Sequence, residues 1–277
     1  MTGFSSAWLK LREAADHRSR NAGLAEALSG RLALREKVSV TDIGCGTGSN
    51  LRGTADLLPD KQSWTLVDYD AGLLESARVE LAAWADAAHA AGGELRLEKG
   101  HKRITVAFRQ ADLSADLDAA LGETCDLVTA AAFFDLASEA FIRRFAKAVA
   151  ERRAVFYTVL TYNGISRWQP HHPADNAVTS AFHRHQLTDK GFGVAAGPMA
   201  PIHLSDQFQF AEYSVQEGDS PWELGRGDQA LMDEVQAGHA AAVTEIGGID
   251  AAPLHSWASR QLSGVYIGHT DTLAMPV

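Results

Sequence analysis

The residues best suited to chemistry stand in one short stretch, where Gly44, Gly46 and Gly48 follow Asp42. Three missing Cβ atoms let the backbone turn sharply and approach a ligand closely. A helix that begins near Ser49 would direct its free N–H groups toward that ligand. The Asp42 carboxylate suits a ligand that carries an ammonium group better than one that carries a pyrophosphate. The stretch therefore predicts a small-molecule site over a strand-to-helix turn.

Two other interpretations of this turn are open. A dinucleotide-binding fingerprint requires glycine or alanine at the sixth position counted from Gly44, and Ser49 occupies that position. An oxidoreductase that binds NAD is therefore disfavoured. An ordinary tight turn between a strand and a helix, without a ligand, would also explain the glycines. The acidic residues further along the chain favour the ligand site.

The pattern D-x-G-x-G-x-G, from Asp42 to Gly48, resembles motif I of the class I S-adenosylmethionine-dependent methyltransferases. The resemblance covers about residues 38–162. It implies S-adenosylmethionine as the cofactor and S-adenosylhomocysteine as the product. Cys45 lies inside this loop, where a small packing residue is a better interpretation than a nucleophile.

Two aspartates and their neighbours complete the predicted cofactor site. Asp68 stands 20 residues after Gly48 at the end of an apolar strand, where a doubly wound sheet brings it beside the glycine turn. Its carboxylate can accept both ribose hydroxyls, although Asp68 or Asp70 could instead cap the next helix. The resemblance implies that a second acidic residue accepts from the adenine amino group, and that an N-terminal arginine pairs with the cofactor carboxylate. The further predicted cofactor residues are Tyr69, Asp112, Leu113 and Arg12.

A histidine-rich stretch after the fifth strand predicts the acceptor side. Four of the 11 histidines fall between His171 and His185, and histidine is the commonest base near neutral pH. Pro170 and Pro173 stiffen the loop that carries His172, because proline fixes φ. We therefore predict His172 as the general base or as a residue that orients the acceptor.

His185 is the second predicted catalytic residue. Helical spacing from Asp175 places His185 near the inner face and turns His183 away. Histidines without any chemistry, on the surface or in the core, are the main alternative. A metal site built from His171 or His172, Asp175 and His185 has a poor ligand set, since it lacks cysteine and tight paired spacing. No metal is predicted.

Residues at the ends of the fourth and fifth strands are predicted to line the acceptor pocket. Phe133 and Phe134 follow the fourth strand, where aromatic residues are equally plausible as core. The strand ends in Ala-Ala-Ala-Phe-Phe-Asp, whereas methyltransferases that act on nucleobases usually carry Asn/Asp-Pro-Pro-aromatic there. A nucleobase acceptor is therefore disfavoured. After the fifth strand, the predicted lining residues are Tyr162, Asn163, Trp168 and His171.

These residues require an α/β fold in which strands and helices alternate. The alternation predicts a doubly wound, mainly parallel sheet, and the resemblance implies seven strands of the class I methyltransferase type, with an antiparallel last strand between strands 5 and 6. We divide the chain into an N-terminal helical cap, 1–35, and a methyltransferase domain, 36–277. The cofactor half of that domain covers about 38–162 and the acceptor-side elements about 163–205 and 227–263, the latter a helical insertion before the last strand.

Three local predictions bear on the sheet. The helix after Asp70 is predicted to extend to Ala88, so that the strand hairpin begins only at Glu94. Trp168 is placed in a loop. The segment from Phe208 to Val215 is predicted as the sixth strand.

Composition excludes several classes of protein. The formal net charge is −10 and no long run of lysine and arginine occurs, so nucleic acid is not a predicted partner. Two cysteines cannot make a disulfide framework. No signal-peptide core or apolar run of transmembrane length is present, so no membrane partner is predicted. We predict a cytoplasmic monomer or homodimer.

The predicted function is methyl transfer from S-adenosylmethionine to a small-molecule acceptor. Such a reaction depends mainly on positioning, with or without a histidine base. The accepting atom, oxygen, nitrogen, sulfur or carbon, is not determined. A non-catalytic S-adenosylmethionine-binding scaffold and an NAD-type oxidoreductase are the alternatives.

Overall fold

The computed structural model describes residues 4–277. Within this range the chain forms ten α-helices and a mixed sheet of ten strands. The helices are α1 (Ser6–Ser19), α2 (Ala22–Leu32), α3 (Ser49–Thr54), α4 (Ala71–Trp84), α5 (Leu117–Leu121), α6 (Glu139–Glu151), α7 (Asp175–Gln186), α8 (Ala200–Phe210), α9 (Gln229–Ile246) and α10 (Ala251–Ser259). The strands are β1 (Lys37–Ile43), β2 (Lys61–Asp68), β3 (Ala87–Ala91), β4 (Glu94–Lys99), β5 (Lys102–Gln110), β6 (Leu127–Ala131), β7 (Val155–Gln169), β8 (Tyr213–Asp219), β9 (Trp222–Leu224) and β10 (Gly264–Pro276).

The sheet has the doubly wound order that the sequence predicts. Its strands run β3-β4-β5-β2-β1-β6-β7-β10-β8, with β9 paired to β10. Strands β5, β2, β1, β6 and β7 are mutually parallel. The last strand, β10, is antiparallel to both β7 and β8, between which it lies. The mainly parallel α/β fold and the position of the antiparallel final strand are therefore confirmed.

The predicted count of seven strands is wrong, because the described part of the chain has ten. Helix α4 ends at Trp84, and the alanine-rich segment that follows pairs with β4 as the antiparallel edge strand β3. The short strand β9 adds a further pairing to β10. Alanine favours helices in isolation, so the ladder of hydrogen bonds to β4, and not local propensity, determines β3.

Two other boundaries differ from the sequence prediction. Trp168 lies in β7, which continues well beyond the parallel core and pairs with β10 as far as Gln169. Phe208 belongs to α8, so the sixth predicted strand begins only at Tyr213. In α8 the buried side chains Leu204 and Phe208 are one helical turn apart, a spacing that short apolar runs do not reveal clearly.

The central strands carry apolar side chains on both faces, as buried parallel strands do. Adjacent residues in a strand point to opposite faces, and accordingly Val155 and Phe156 belong to separate buried clusters. One cluster contains Trp64, Leu28 and Val155. The other is rich in phenylalanine, with rings of Phe156 and Phe208 stacked at a centroid distance of 4.6 Å.

The N-terminal helices are fastened to the last strand by a buried carboxylate. Asp271 of β10 is fully buried, and its two oxygens accept hydrogen bonds from the backbone N–H groups of Asn21 and Leu160, each at 2.8 Å. The Asn21 side chain also donates to the carbonyl oxygen of Asp219, at 3.1 Å. Leu24 and Leu28 of α2 are buried in the main core. The cap is therefore continuous with the sheet. Within residues 4–277, no helix is long and apolar enough to cross a membrane.

Candidate functional site

The glycine turn lies at the end of β1 and is closely covered. Gly44, Gly46 and Gly48 have φ values of 60°, 53° and 76°, which glycine adopts readily and other residues rarely. A Cβ atom on Gly44 would lie 2.7 Å from the ring of Phe133, and one on Gly46 would lie 2.9 Å from Cδ1 of Leu9. Only glycine therefore leaves space for the backbone to approach both neighbours and a ligand.

A cavity of about 430 Å³ opens over this turn, within the size range of ligand pockets. It lies where open α/β sheets bind ligands, outside the carboxyl ends of the parallel strands. Most predicted cofactor residues line it, namely Arg12, Gly44, Cys45, Gly46, Asp68, Tyr69, Asp112 and Leu113. Gly48 and Asp42 do not appear in the lining that residues 4–277 form.

Asp68 is held at the end of β2 with its carboxylate against the glycine turn. One carboxylate oxygen accepts from the Gly46 N–H at 2.8 Å and the other from the Asp70 N–H at 3.0 Å. Burial raises the pKa of Asp68, and these backbone hydrogen bonds partly oppose that shift. Each oxygen keeps a further lone pair for a ligand hydroxyl. Helix capping falls to Asp70, which accepts from the N–H groups of Gly72 and Leu73.

Asp112 lies at the next strand end and is solvent-exposed. Its carboxylate accepts from the Ser114 N–H at 2.8 Å and from the Ser114 hydroxyl at 2.6 Å, and these hydrogen bonds hold its pKa below the usual range. Leu113 is buried, whereas Tyr69 is 62% exposed. Together, Asp112 and Leu113 offer one polar and one apolar wall at this end of the cavity.

Asp42 lies beneath the turn and is completely buried. It accepts a hydrogen bond from Nδ2 of Asn50 at 2.8 Å, while its other oxygen has no hydrogen-bond partner in the described part of the chain. Burial raises the pKa of Asp42 to about 7, opposed by the Asn50 hydrogen bond and the Arg20 guanidinium. Asp42 therefore supports the turn from below. Cys45 is also buried, and burial raises the pKa of its thiol well above the usual range, which agrees with a packing role.

Two arginines of the N-terminal segment reach the cavity. Arg12 donates from Nε to Asp16 at 2.8 Å, and its guanidinium lies 5.1 Å from the ring centroid of Trp222. Arg20, which sequence reasoning did not select as a site residue, donates to Thr54 at 2.8 Å and to Asn50 at 3.1 Å. Both arginines and Asp16 line the cavity.

The predicted acceptor residues separate into two groups. Phe133 lines the cavity and packs edge-on against Phe192, with ring centroids 5.5 Å apart. Phe134 points away into the phenylalanine-rich cluster, where it contacts Phe145 and Phe156. The prediction that Phe134 lines the pocket is therefore not supported, since neighbouring residues in the short 3₁₀ turn diverge.

Tyr162, Asn163 and Trp168 lie in β7, outside the cavity lining formed by residues 4–277. The Tyr162 hydroxyl is 3.0 Å from Nε2 of His183, and burial raises the tyrosine pKa. Nδ2 of Asn163 donates to Thr270 at 3.3 Å. Trp168 packs against Trp257 and His239 in a buried aromatic group.

The two predicted catalytic histidines also lie outside that lining. In His172, Nδ1 accepts from the Ala174 N–H and Nε2 lies 3.1 Å from the Ser256 hydroxyl, so both ring nitrogens are occupied. His185 instead lies 3.3 Å from a carboxylate oxygen of Glu245. The prediction that His183 turns away is wrong, because His183 contacts Tyr162.

The possible metal ligands are dispersed as well. His171 is 3.9 Å from Asp175, while Asp175 is occupied by Trp257 and Arg260, both within hydrogen-bond distance. Among residues 4–277, no group of three or more His, Cys, Asp or Glu side chains is arranged to hold a metal ion.

Several lining residues were not predicted. They come from α1 and the residues beside it, α3, the ends of β5 and β6, the 3₁₀ turn after β6, and the loop after α7. Of these, only Asp16 and Arg20 had a sequence signal, because they belong to a polar cluster in the first helix. The others are chiefly Phe4, Leu9, Asn50, Gln110, Ala131, Ala132, Leu136, Lys190 and Phe192.

Three solved structures share this fold. A cyclopropane-fatty-acyl-phospholipid synthase-like protein from Lactobacillus casei superposes with a TM-score of 0.57 at 18% identity, over 99% of this chain and 94% of that one. Cyclopropane synthase MmaA2 from Mycobacterium tuberculosis gives 0.51 at 12% identity, over 98% and 94%. The YcgJ protein from Bacillus subtilis gives 0.51 at 14% identity, over 94% and 98%. No protein-family model and no curated protein sequence matches the chain.

The strand order and these likenesses define the class I methyltransferase fold. At such low identities they establish the architecture, and the chemistry has to be argued from the site.

Proposed function

We propose that the protein binds S-adenosylmethionine and transfers its methyl group to a small-molecule acceptor. The observation that carries the proposal is the carboxylate of Asp68, held at the end of β2 by the Gly46 N–H and facing the cavity. S-adenosylmethionine supplies, when bound, an electrophilic methyl group on a sulfonium centre. The protein's task is then to hold the acceptor in line with that methyl group.

The lining residues fit the parts of this cofactor. The free lone pairs of Asp68 suit the ribose hydroxyls. Asp112 and the apolar Leu113 suit the amino group and the face of adenine. Arg12, predicted from the sequence, and Arg20, added by the structure, are both able to pair with the amino-acid carboxylate. The apolar side chains of Leu9, Phe133, Leu136 and Phe192 would exclude water from the transfer site.

The alternatives are less well supported. An NAD-type ligand would place its pyrophosphate beside the glycine turn, where the Asp68 carboxylate already accepts a hydrogen bond from the Gly46 N–H. Ser49 in place of the third fingerprint residue also disfavours it. A non-catalytic scaffold would need the same cofactor contacts, so only an activity measurement separates it from an enzyme.

Calorimetry with S-adenosylhomocysteine and with NAD⁺ tests the ligand assignment. We expect the wild type to bind S-adenosylhomocysteine more tightly than NAD⁺. Asp68→Ala should weaken the binding of S-adenosylhomocysteine by about ten- to more than a hundredfold, because a charge-assisted hydrogen bond is lost. Asp118→Ala, which removes an exposed carboxylate that pairs with Arg152, is the matched control and should leave the affinity unchanged. Tighter binding of NAD⁺ would overturn the proposal.

Catalysis needs a separate assay. Methyl-labelled S-adenosylmethionine is incubated with the protein and a pool of small molecules, and label transfer is compared with the formation of S-adenosylhomocysteine. Equal, protein-dependent yields of both are expected for a methyltransferase. Binding of the cofactor without transfer to any member of the pool would favour the scaffold.

A further inference from the structure

The two arginines that reach the cavity occupy different environments. Arg20 is the C-cap residue of α1 and Arg12 lies eight positions earlier, which corresponds to about 12 Å along a helix axis at 1.5 Å per residue. A single cofactor carboxylate therefore cannot make the same hydrogen bonds to both arginines. Their separation raises the question of which ligand group each arginine receives.

Arg20 lies beside the glycine turn. Its two terminal nitrogens donate to Thr54 and Asn50, both in the helix that follows the turn. Each of these nitrogens keeps a second N–H. The guanidinium also packs against the backbone of that helix, where a Cβ on Gly53 would lie 2.7 Å from Cζ of Arg20. This is the position expected for the partner of the cofactor's amino-acid carboxylate.

Arg12 lies against a different element from Arg20. Its guanidinium carbon is 5.1 Å from the ring centroid of Trp222 in β9, a strand that pairs with β10 on the other side of the sheet from β2 and β5. The Trp222 ring in turn lies 5.2 Å from the ring of His269 in β10. Burial and the nearby Arg12 lower the pKa of His269 to about 3, so this histidine is neutral and supplies no competing charge.

The Arg12 guanidinium is fixed but incompletely paired. One carboxylate oxygen of Asp16 accepts a hydrogen bond from Nε of Arg12, at 2.8 Å. The other oxygen accepts from Nε1 of Trp222, at 3.0 Å. The rings of Trp8 and Trp222 lie 5.9 and 5.1 Å from the guanidinium carbon. Within residues 4–277, Nη1 and Nη2 have no hydrogen-bond partner, although Arg12 is only 9% exposed. A buried guanidinium with two unpaired terminal nitrogens can donate two parallel hydrogen bonds to a planar anion such as a carboxylate.

We infer that Arg12 binds a carboxylate of the methyl acceptor, while Arg20 binds that of the cofactor. The acceptor is then a small carboxylic acid, and its apolar body lies beside Leu136 and Phe192. Asp16 positions the Arg12 fork. The inference rests on the proposed function, since it assumes that the cofactor fills the half of the cavity beside the glycine turn.

Calorimetry with S-adenosylhomocysteine separates the two arginines without knowledge of the acceptor. Arg20→Gln should weaken binding about tenfold or more, whereas Arg12→Gln should change it less than threefold. Arg18→Gln is the control, because Arg18 belongs to the same helix but pairs with Asp228 outside the cavity lining. Thermal unfolding checks that each variant is folded, and Arg12→Lys keeps the charge if Arg12→Gln does not fold. Equal losses from the Arg12 and Arg20 variants would overturn the inference.

Competition between acids and their amides tests the ligand class. Benzoate and phenylacetate, and as neutral partners benzamide and phenylacetamide, are titrated into the protein saturated with S-adenosylhomocysteine. We expect the acids to bind at least tenfold more tightly than their amides, and this preference to disappear in Arg12→Gln and survive in Arg18→Gln. No preference for the acids, including no binding by either series, would overturn the inference. If the wild type binds no S-adenosylhomocysteine at all, the proposed function fails instead.

Discussion

The glycine-turn end of the sheet and the helical insertion, residues 227–263, both bury titratable groups, but of opposite kinds. Beneath the glycine turn, Asp42 is fully buried with one carboxylate oxygen unpartnered in the described chain. In the insertion, His239 of α9 stacks on Phe182 at a centroid distance of 3.9 Å and donates from Nδ1 to the Val235 carbonyl, at 2.8 Å. Its Nε2 has no partner among the described residues. A carboxylate and an imidazole respond to burial in opposite directions, so the two regions differ in their response to pH.

The contribution of Asp42 to the free energy of unfolding decreases as pH rises. Its pKa increases from the usual 3.8 to about 7 in the folded protein. The protonated form is favoured by folding, so its contribution is complete below pH 3.8 and is lost as pH rises through 7. At 1.36 kcal/mol for each unit of pKa, the whole change amounts to about 4 kcal/mol.

His239 weakens the fold as pH falls. Burial lowers its pKa from 6.5 to about 4, so the neutral form is favoured by folding. Its contribution is complete above pH 6.5 and is lost as pH falls toward 4, by about 3 kcal/mol in all. His269 changes in the same direction, with a pKa of about 3. The molecule should therefore be most stable at an intermediate pH.

The largest expected effect comes from Asp42→Asn, which removes the ionisable carboxyl group and with it the pH dependence of the unfolding free energy that Asp42 causes. Between pH 5 and pH 8, the wild type should lose about 3 kcal/mol of unfolding free energy relative to Asp42→Asn. Chemical denaturation of both proteins across this range measures the difference. If the difference in unfolding free energy between the two proteins does not change with pH, Asp42 does not titrate over this range in the folded state. The predicted opposite pH response of the two regions would then be wrong for the glycine-turn end.

His239→Phe should remove the opposite dependence in the insertion. A phenyl ring keeps the stacking on Phe182 but cannot be protonated. From pH 8 to pH 5 the wild type should therefore lose about 2 kcal/mol of unfolding free energy that His239→Phe does not lose. The same denaturation series measures this effect. His255→Phe is the control, since His255 is exposed on α10 and makes no hydrogen bond or ion pair within residues 4–277. Equal pH dependence of wild type and His239→Phe would contradict the prediction.

Gly46→Ala tests the close approach at the glycine turn. The left-handed backbone at this position costs a non-glycine residue about 1–2 kcal/mol, and the new methyl group would clash with Leu9, which lines the cavity. We expect this loss in thermal unfolding, together with weaker binding of S-adenosylhomocysteine. Gly100→Ala is a matched control, because Gly100 has a φ of 55° with nothing within 4 Å of an added Cβ. It should lower stability similarly and leave the affinity unchanged.

The smallest effect is expected at the predicted base. His172 contacts Ser256 and Ala174 at a partly exposed position, so His172→Ala should destabilise the protein by less than about 1 kcal/mol. It should lower methyl transfer less than threefold with the acceptor identified by the label assay. A loss of a hundredfold or more with intact binding of S-adenosylhomocysteine would restore the base assignment and extend the site to the loop before α7.

The same contrast explains what the sequence could predict. The glycine-turn end of the sheet depends on residues close together in the chain, such as Asp68 and the glycines, and the strand ends of a doubly wound sheet bring them together whatever surrounds them. The predicted acceptor-side elements depend on packing between distant segments. His183 and His185 differ by only two positions, and their directions are decided by Tyr162 and Glu245, which helical spacing does not locate.

Two further cases show the same limit. Phe133 and Phe134 are chemically identical neighbours, and only the local turn assigns one to the cavity and the other to the core. Lys190 and Phe192 reach the cavity because the loop after α7 folds back over β6, a tertiary contact without a local signal. Edge strand β3 depends on its partner β4 in the same way.

The Asp271 carboxylate also determines when the site can exist during synthesis. The cap leaves the ribosome before the sheet does, but the carboxylate that accepts the Asn21 N–H lies 250 residues further along the chain. Trp222, which holds Asp16 and through it Arg12, is likewise made late. A nascent chain that already contains the glycine turn therefore lacks the docked helix over it. Domains generally fold as units during synthesis, and contacts of such long range slow folding. Ligand binding should therefore appear abruptly, once the final strand has been added.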